Sequence, residues 1–135
     1  MREITIPAVI SQIPEVTTVI DTYLEELECP MKVQVQIDVA IDEILSNIAN
    51  YAYGDETGEA TVTIDTLEGS VGVAITFKDS GSEYNPLDKE DPDITLSAEE
   101  REIGGLGIYL VKKTMDSVEY EYKDGYNILT LHKNF

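Results

Sequence analysis

Apolar residues recur along this chain with two different periods, and the order in which the periods alternate constrains the fold more than any other feature. Arg2 to Ile6 alternates apolar and polar positions as a half-buried strand does, and Pro7 ends the pattern. From Ser11 to about Leu27 the period lengthens: Val16, Val19, Ile20, Leu24 and Leu27 fall at three- and four-residue intervals, with Pro14 near the first turn, where a helix tolerates it. After Cys29-Pro30 a second helical pattern runs from about Met31 to Tyr53, with Gly54 suited to cap its C-terminus. Ala60 to Leu67 and Val71 to Lys78 then alternate as the strands of a hairpin joined at Glu68-Gly69-Ser70. Residues 80 to 103 show no clear period and are long for a connection in a compact domain, which predicts a functional lid. A short amphipathic helix from Gly104 to Met115 and two alternating segments, Val118 to Tyr122 and Tyr126 to His132 around Asp124-Gly125, follow. Strand, helix, helix, two strands, lid, helix, two strands is an α+β order. It predicts mostly antiparallel pairing with the helices stacked on one face.

A chain of 135 residues is expected to form one domain, spanning 1–135. Its apolar residues never pool into the run of about 20 that a membrane-spanning helix needs, and an acid and alternating residues stand where a signal peptide would carry its basic and long apolar regions. Cys29 is the only cysteine and His132 the only histidine, so neither an internal disulfide nor a Cys/His zinc cluster is expected, and a cytoplasmic setting fits best. Twenty-seven acids against nine bases give a net charge of −18, which argues against nucleic acid or an anionic membrane as the main partner. Any anionic ligand must be held by a metal ion and by oriented backbone N–H groups.

Three segments offer that chemistry. At about 100° per residue, Glu43, Asn47 and Asn50 share a wedge of roughly 60° on the second helix, opposite Ile37, Ile41, Ile44 and Ile48. A carboxamide oxygen is a hard, neutral metal ligand, and a carboxylate one turn away can orient or deprotonate a hydroxyl. A solvated polar face has the same pattern. Lys78-Asp79-Ser80-Gly81 ends a strand: an Asp there can accept a hydrogen bond from the exocyclic amine of adenine, and a glycine lets backbone approach a flat ring, although Asp-Ser-Gly is also ordinary turn chemistry. Gly104, Gly105 and Gly107 lead into Ile108-Tyr109-Leu110-Val111, so flexible backbone opens directly onto a helix N-terminus, where free N–H groups favour phosphate oxygens. The Gly-Lys-Ser/Thr of a P-loop is missing, and Leu110 stands where a dinucleotide fingerprint needs glycine.

Glu43-Ile44-Leu45-Ser46-Asn47, Asp79-Ser80-Gly81 and Gly104-Gly105-Leu106-Gly107-Ile108 follow one another in the order and spacing of the N, G1 and G2 boxes of the Bergerat-type (GHKL) ATPases. Within that superfamily the chain resembles the anti-sigma-factor serine kinases of the RsbW and SpoIIAB type, from Ile4 to Lys133. The resemblance implies a two-layer α/β sandwich with a mixed, mostly antiparallel sheet, ATP between helices and lid, and Mg²⁺ on Asn47. It casts Glu43 as base or positioning group and Asp79 as the adenine acceptor. Gly81 would line the adenine pocket, Asn50 and Ile108 would contribute to the nucleotide site, and Gly104, Gly105, Leu106 and Gly107 would cradle the phosphates. It further implies phosphoryl transfer to a serine of an anti-anti-sigma, STAS-like partner, a hold on a sigma factor, and a homodimer. A nucleotide-sensing module that binds a partner without phosphotransfer is the alternative. Three departures bear on that choice: Tyr51 where related kinases often have histidine, Asn127 where a threonine often supports the adenine-binding Asp, and Leu106 where a basic residue is common.

Overall fold

The alternating segments pair into a single sheet. In the computed structural model, which describes residues 1–69, 71–88 and 105–135, β1 (Arg2–Pro7), β2 (Glu59–Thr66), β3 (Gly72–Asp79), β4 (Ser117–Lys123) and β5 (Tyr126–Asn134) lie in the order β1-β2-β3-β5-β4. Every pair among them is antiparallel, where a mixed sheet was expected. Short hairpin turns force that direction on β2–β3 and β4–β5, and the β1–β2 and β3–β5 pairs follow it. At the β4–β5 turn both Asp124 and Gly125 have positive φ, 55° and 84°, which is the backbone a tight two-residue hairpin requires.

Alternation then decides which side of the sheet is covered. Ala60, Val62 and Ile64 of β2, Val73, Ile75 and Phe77 of β3, and Leu129 and Leu131 of β5 are all buried, in one core with Val16, Ile20 and Leu24 of α1 (Ile13–Glu26), Ile37, Ile41 and Ile44 of α2 (Met31–Asn47), and Val111 of α3 (Gly105–Thr114). At about 2 kcal/mol for each large side chain removed from water, a one-residue slip of register would turn this whole set outward. The opposite face carries Thr5, Thr61, Thr63, Thr76 and Thr130, with Thr5 and Thr61 bonded across strands at 2.9 Å. The α+β sandwich with helices on one face is therefore the observed architecture.

Two element boundaries differ from the periodic pattern. A 3-10 turn (Ile10–Gln12) precedes α1, which starts at Ile13 so that Pro14 occupies the first turn, where its missing N–H costs nothing. More consequentially, α2 ends at Asn47 and the chain continues as a π-helical turn over Ile48–Ala52 before Gly54, at φ +59°, closes it. Such wide turns change the angular phase of everything after them. Of the predicted lid, residues 80–88 are described and include a 3-10 turn at Pro86–Asp88; residues 89–103 lie outside the described residues.

Candidate nucleotide site

Helix α2, the end of β3 and the start of α3 meet around one cavity, with Ile44, Asn47 and Ile48 on one side, Asp79 and Asn127 at the polar end, and Ile108 above. The cavity amounts to about 40 Å³, and exposed Tyr51 and Tyr84 are among the residues that line it.

Glu43 and Asn47 are both half-buried and joined, Asn47 Nδ2 donating to Glu43 Oε1 at 3.2 Å. That bond leaves the amide oxygen of Asn47 outside it, and this is the atom a hard cation would take. Among the described residues no group of three or more His, Cys, Asp or Glu is placed to hold a metal ion. A Mg²⁺ ion, which keeps several waters and is usually bound through one or two protein groups and the phosphates, does not require such a group, so the donor set fits Mg-nucleotide. Gly107 lies in the first turn of α3 directly over Glu43: a Cβ there would stand 2.1 Å from the carboxyl carbon. Glu43 thus presents its carboxylate to the N-terminal turn of α3, where the helix dipole favours negative charge. Gly105 opens α3, nothing is described of the Leu106 side chain, and Gly104 lies outside the described residues. Asn50 is exposed and does not line the cavity, because the π turn breaks the 100° phase that put it beside Asn47.

Asp79 is 5% exposed, and its environment is built by sheet register. Antiparallel pairing sets Asn127 of β5 directly opposite it, so the two short polar side chains meet on the inner face. Asp79 Oδ1 accepts from Gly81 N at 2.9 Å and from Asn127 Nδ2 at 3.0 Å, which leaves Oδ2 as the oxygen for an incoming amine. Asn127 also donates to Ser82 O at 2.8 Å and accepts from Tyr84 N at 3.1 Å and from the Tyr120 hydroxyl. Its orientation is fixed by chemistry, since the carboxylate and the Ser82 carbonyl can only accept. Burial first, then the neighbouring carboxylates Glu83 and Asp79, holds the Tyr120 hydroxyl above its ordinary range, so it remains a donor.

Gly81 does not line the cavity; it packs on the π turn behind it. Ser82 N donates to Ala52 O at 2.8 Å, and a Cβ on Gly81 would stand 2.2 Å from that same carbonyl oxygen. The obstacle is backbone, so Gly81→Ala should destabilise the protein by about 2–3 kcal/mol, measured by urea melt, as it pushes the Asp79 turn away from the π turn. Tyr53 secures the same junction, its hydroxyl donating to Glu59 O and accepting from Ser80 N at 3.0 Å.

The sequence marks Asn127 only as a departure and does not single out Tyr120, Tyr53 or Ala52. An inward tyrosine on β4 was a usable signal, because a buried phenol needs a partner. Ala52 gave no signal, since its role belongs to its backbone. His132 bonds Ser117 Oγ through Nδ1 at 2.6 Å across β4 and β5.

The described fold has known counterparts. The histidine kinase-like ATPase domain family matches residues 6–133, and the chain belongs to that family. It is 27% identical over 95 residues to the serine/threonine-protein kinase BtrW of Bordetella bronchiseptica, covering 70% of this chain and 66% of that protein. It is 29% identical over 98 residues to the serine-protein kinase RsbW of Listeria monocytogenes (69% and 61%) and 32% identical over 98 residues to RsbW of Bacillus mycoides (67% and 58%). The matches thus cover under two thirds of each of these relatives. Among solved structures the histidine kinase AdeS of Acinetobacter baumannii superposes with a TM-score of 0.50 at 12% identity, over 99% of this chain and 68% of that one, a likeness of fold. No helix among the described residues is long and apolar enough to cross a membrane.

Proposed function

We propose that this protein is a cytoplasmic, ATP-dependent protein-serine kinase that regulates by switching partners. Its protein substrate is an anti-anti-sigma, STAS-like protein, and a sigma factor is the partner it holds when that substrate is phosphorylated; the working unit is a homodimer. The observation that carries the reading is the convergence of Asn47, Asp79 and Ile108 on one cavity, with Glu43 beneath the first turn of α3. Family membership and the printed names of the relatives support it.

In this reading Asp79 Oδ2 accepts the adenine amine, the aliphatic walls take the ring, and backbone N–H groups of Gly104 to Gly107 hold the phosphates. Asn47, together with phosphate oxygens, would hold Mg²⁺, which would supply positive charge against the phosphates. The partner's serine Oγ forms a bond to the γ-phosphorus, its proton passes to Glu43, and the bond to the β–γ bridging oxygen breaks with its electron pair left on ADP. With nine bases in the whole chain, metal and backbone must supply most of the phosphate recognition.

Incubation with γ-labelled ATP and candidate partners should place label on a partner serine, and Glu43→Ala should lose it while still binding ATP. Phosphorylation by Glu43→Ala at the wild-type rate would remove Glu43 from the mechanism. The second reading, nucleotide-dependent capture of a partner without transfer, is favoured by Leu106 standing where a basic residue is common. ATP-dependent pull-down of a partner with no phosphoserine in its mass spectrum would establish it in place of the first.

A further inference from the structure

Helices α1 and α2 meet through an arrangement the nucleotide site does not use. Asp21 of α1 and Asp38 of α2 contact each other, and Oδ1 of each is out of water without a hydrogen-bond donor. Among the described residues neither carboxylate is in an ion pair. The neighbours along the helices offer no relief: Thr17 and Thr18 donate to the carbonyls of Ile13 and Pro14, and Glu25 and Asp42 are exposed acids. Gln34, buried one turn before Asp38, is neutral. Among the described residues the remaining titratable group set against Asp38 is the Cys29 thiol in the turn between the helices, itself pushed up by burial and by Asp38. Two carboxylates in contact, each with a buried oxygen that has no donor, are satisfied only by a proton or a cation.

We propose that Asp21 and Asp38 share one proton across the α1–α2 interface, and that this proton ties the two helices together until alkaline solution removes it. The Asp38 carboxyl is pushed up to about 8, first by burial, then by its hydrogen bond with Asp21 and by the repulsion between the two charges. A carboxyl whose folded value lies above the unfolded one binds its proton more tightly in the folded protein. Its contribution to stability is therefore complete below the ordinary value of 3.8 and declines as pH rises, until it is lost at about 8. Asp38 sits five residues before Glu43 on the same helix, so loosening here acts on the element that carries the carboxylate assigned the serine proton in the proposed function.

Melting curves of the whole protein from pH 5.5 to 8.5 test this. Asp38→Asn keeps the shape of the side chain and supplies a permanent N–H to Asp21. The wild-type Tm should fall by roughly 3–6 °C more than that of Asp38→Asn over this range, with Asp38→Asn the more stable at pH 8.5. Parallel curves would overturn the proposal. Carboxyl carbon NMR of the wild type gives an answer that does not depend on the variant folding: a transition of Asp38 above pH 7 supports the shared proton, and both aspartates titrating below pH 5 refutes it. Recovery of the wild-type Tm at pH 8.5 by millimolar Ca²⁺ or Mg²⁺, absent in Asp38→Asn, would mean that a cation closes the pair and would also refute it.

Discussion

Asn127→Leu should lower stability by about 3–5 kcal/mol and weaken ATP binding at least about 100-fold. Leucine has the same number of side-chain heavy atoms as asparagine, branched at the same carbon, so the loss is not chiefly one of packing; it comes from four groups that each lose a partner at once. Asp79 Oδ1 loses one of its two donors, Ser82 O loses its donor, and Tyr84 N and the Tyr120 hydroxyl lose their acceptor. Each buried polar group left unsatisfied costs about 1–3 kcal/mol, and partial entry of water relieves some of that sum. The binding defect has a separate origin. Asn127 holds Asp79 with one oxygen occupied and the other available, and it pins Ser82 and Tyr84, which border the cavity. Without it Asp79 is free to rotate, and the geometry an adenine amine needs is lost. Urea melts and calorimetry with Mg-ATP measure the two effects independently. Asn127→Asp makes the contrast, because it keeps the acceptor and replaces the donor with a second carboxylate against Asp79, so it should be the worse binder of the two at neutral pH. Wild-type affinity in Asn127→Leu would show that Asp79 needs no support.

Much of the architecture was legible in the sequence because it rests on period. Alternation from Ala60 to Leu67 and from Tyr126 to His132 predicted strands that lie within a residue or two of β2 and β5, and three- and four-residue spacing predicted α1 and α3. What period could not show was the π turn. The pattern reads as one helix from Met31 to Tyr53, and hydrophobic spacing over a single turn does not separate 3.6 residues per turn from a wider winding. Asn50 was placed beside Asn47 by that assumption and is exposed for the same reason. The parallel component expected of the sheet had no residues behind it; it came with the family resemblance, and the described strands pair only antiparallel. In the site, the sequence picks out Asn47, Asp79 and Ile108, which line one cavity, but not the scaffold behind them. Asp79 and Asn127 are 48 positions apart, and only the β3–β5 register brings them opposite each other. Gly81 was read as a wall of the base pocket because glycine admits a ring, yet the surface it admits is the backbone of Ala52. A glycine announces close approach without naming what approaches.

Gly107 shows how that ambiguity can be turned into a measurement. Gly107→Ala should leave the fold intact or stabilise it by up to about 1 kcal/mol, since alanine suits a helix better than glycine and no positive φ is required at this position. The new methyl group, however, would lie 2.1–2.4 Å from the carbon and both oxygens of the Glu43 carboxyl. That is the far end of a flexible side chain, so the carboxylate swings aside and the backbone stays, which is the opposite of the Gly81 case. The 3.2 Å bond from Asn47 breaks as it moves. If Glu43 takes the serine proton, its displacement should slow phosphotransfer by about 10²–10⁴ while ATP affinity changes by less than about tenfold. Pairing the change with Glu43→Ala sharpens the result: the double variant should be no slower than Glu43→Ala alone, because both act through the same carboxylate. Rates that multiply would mean that the methyl group disturbs the phosphate loop itself, and a Tm lowered by many degrees would mean that the first turn of α3, not the side chain beneath it, gives way.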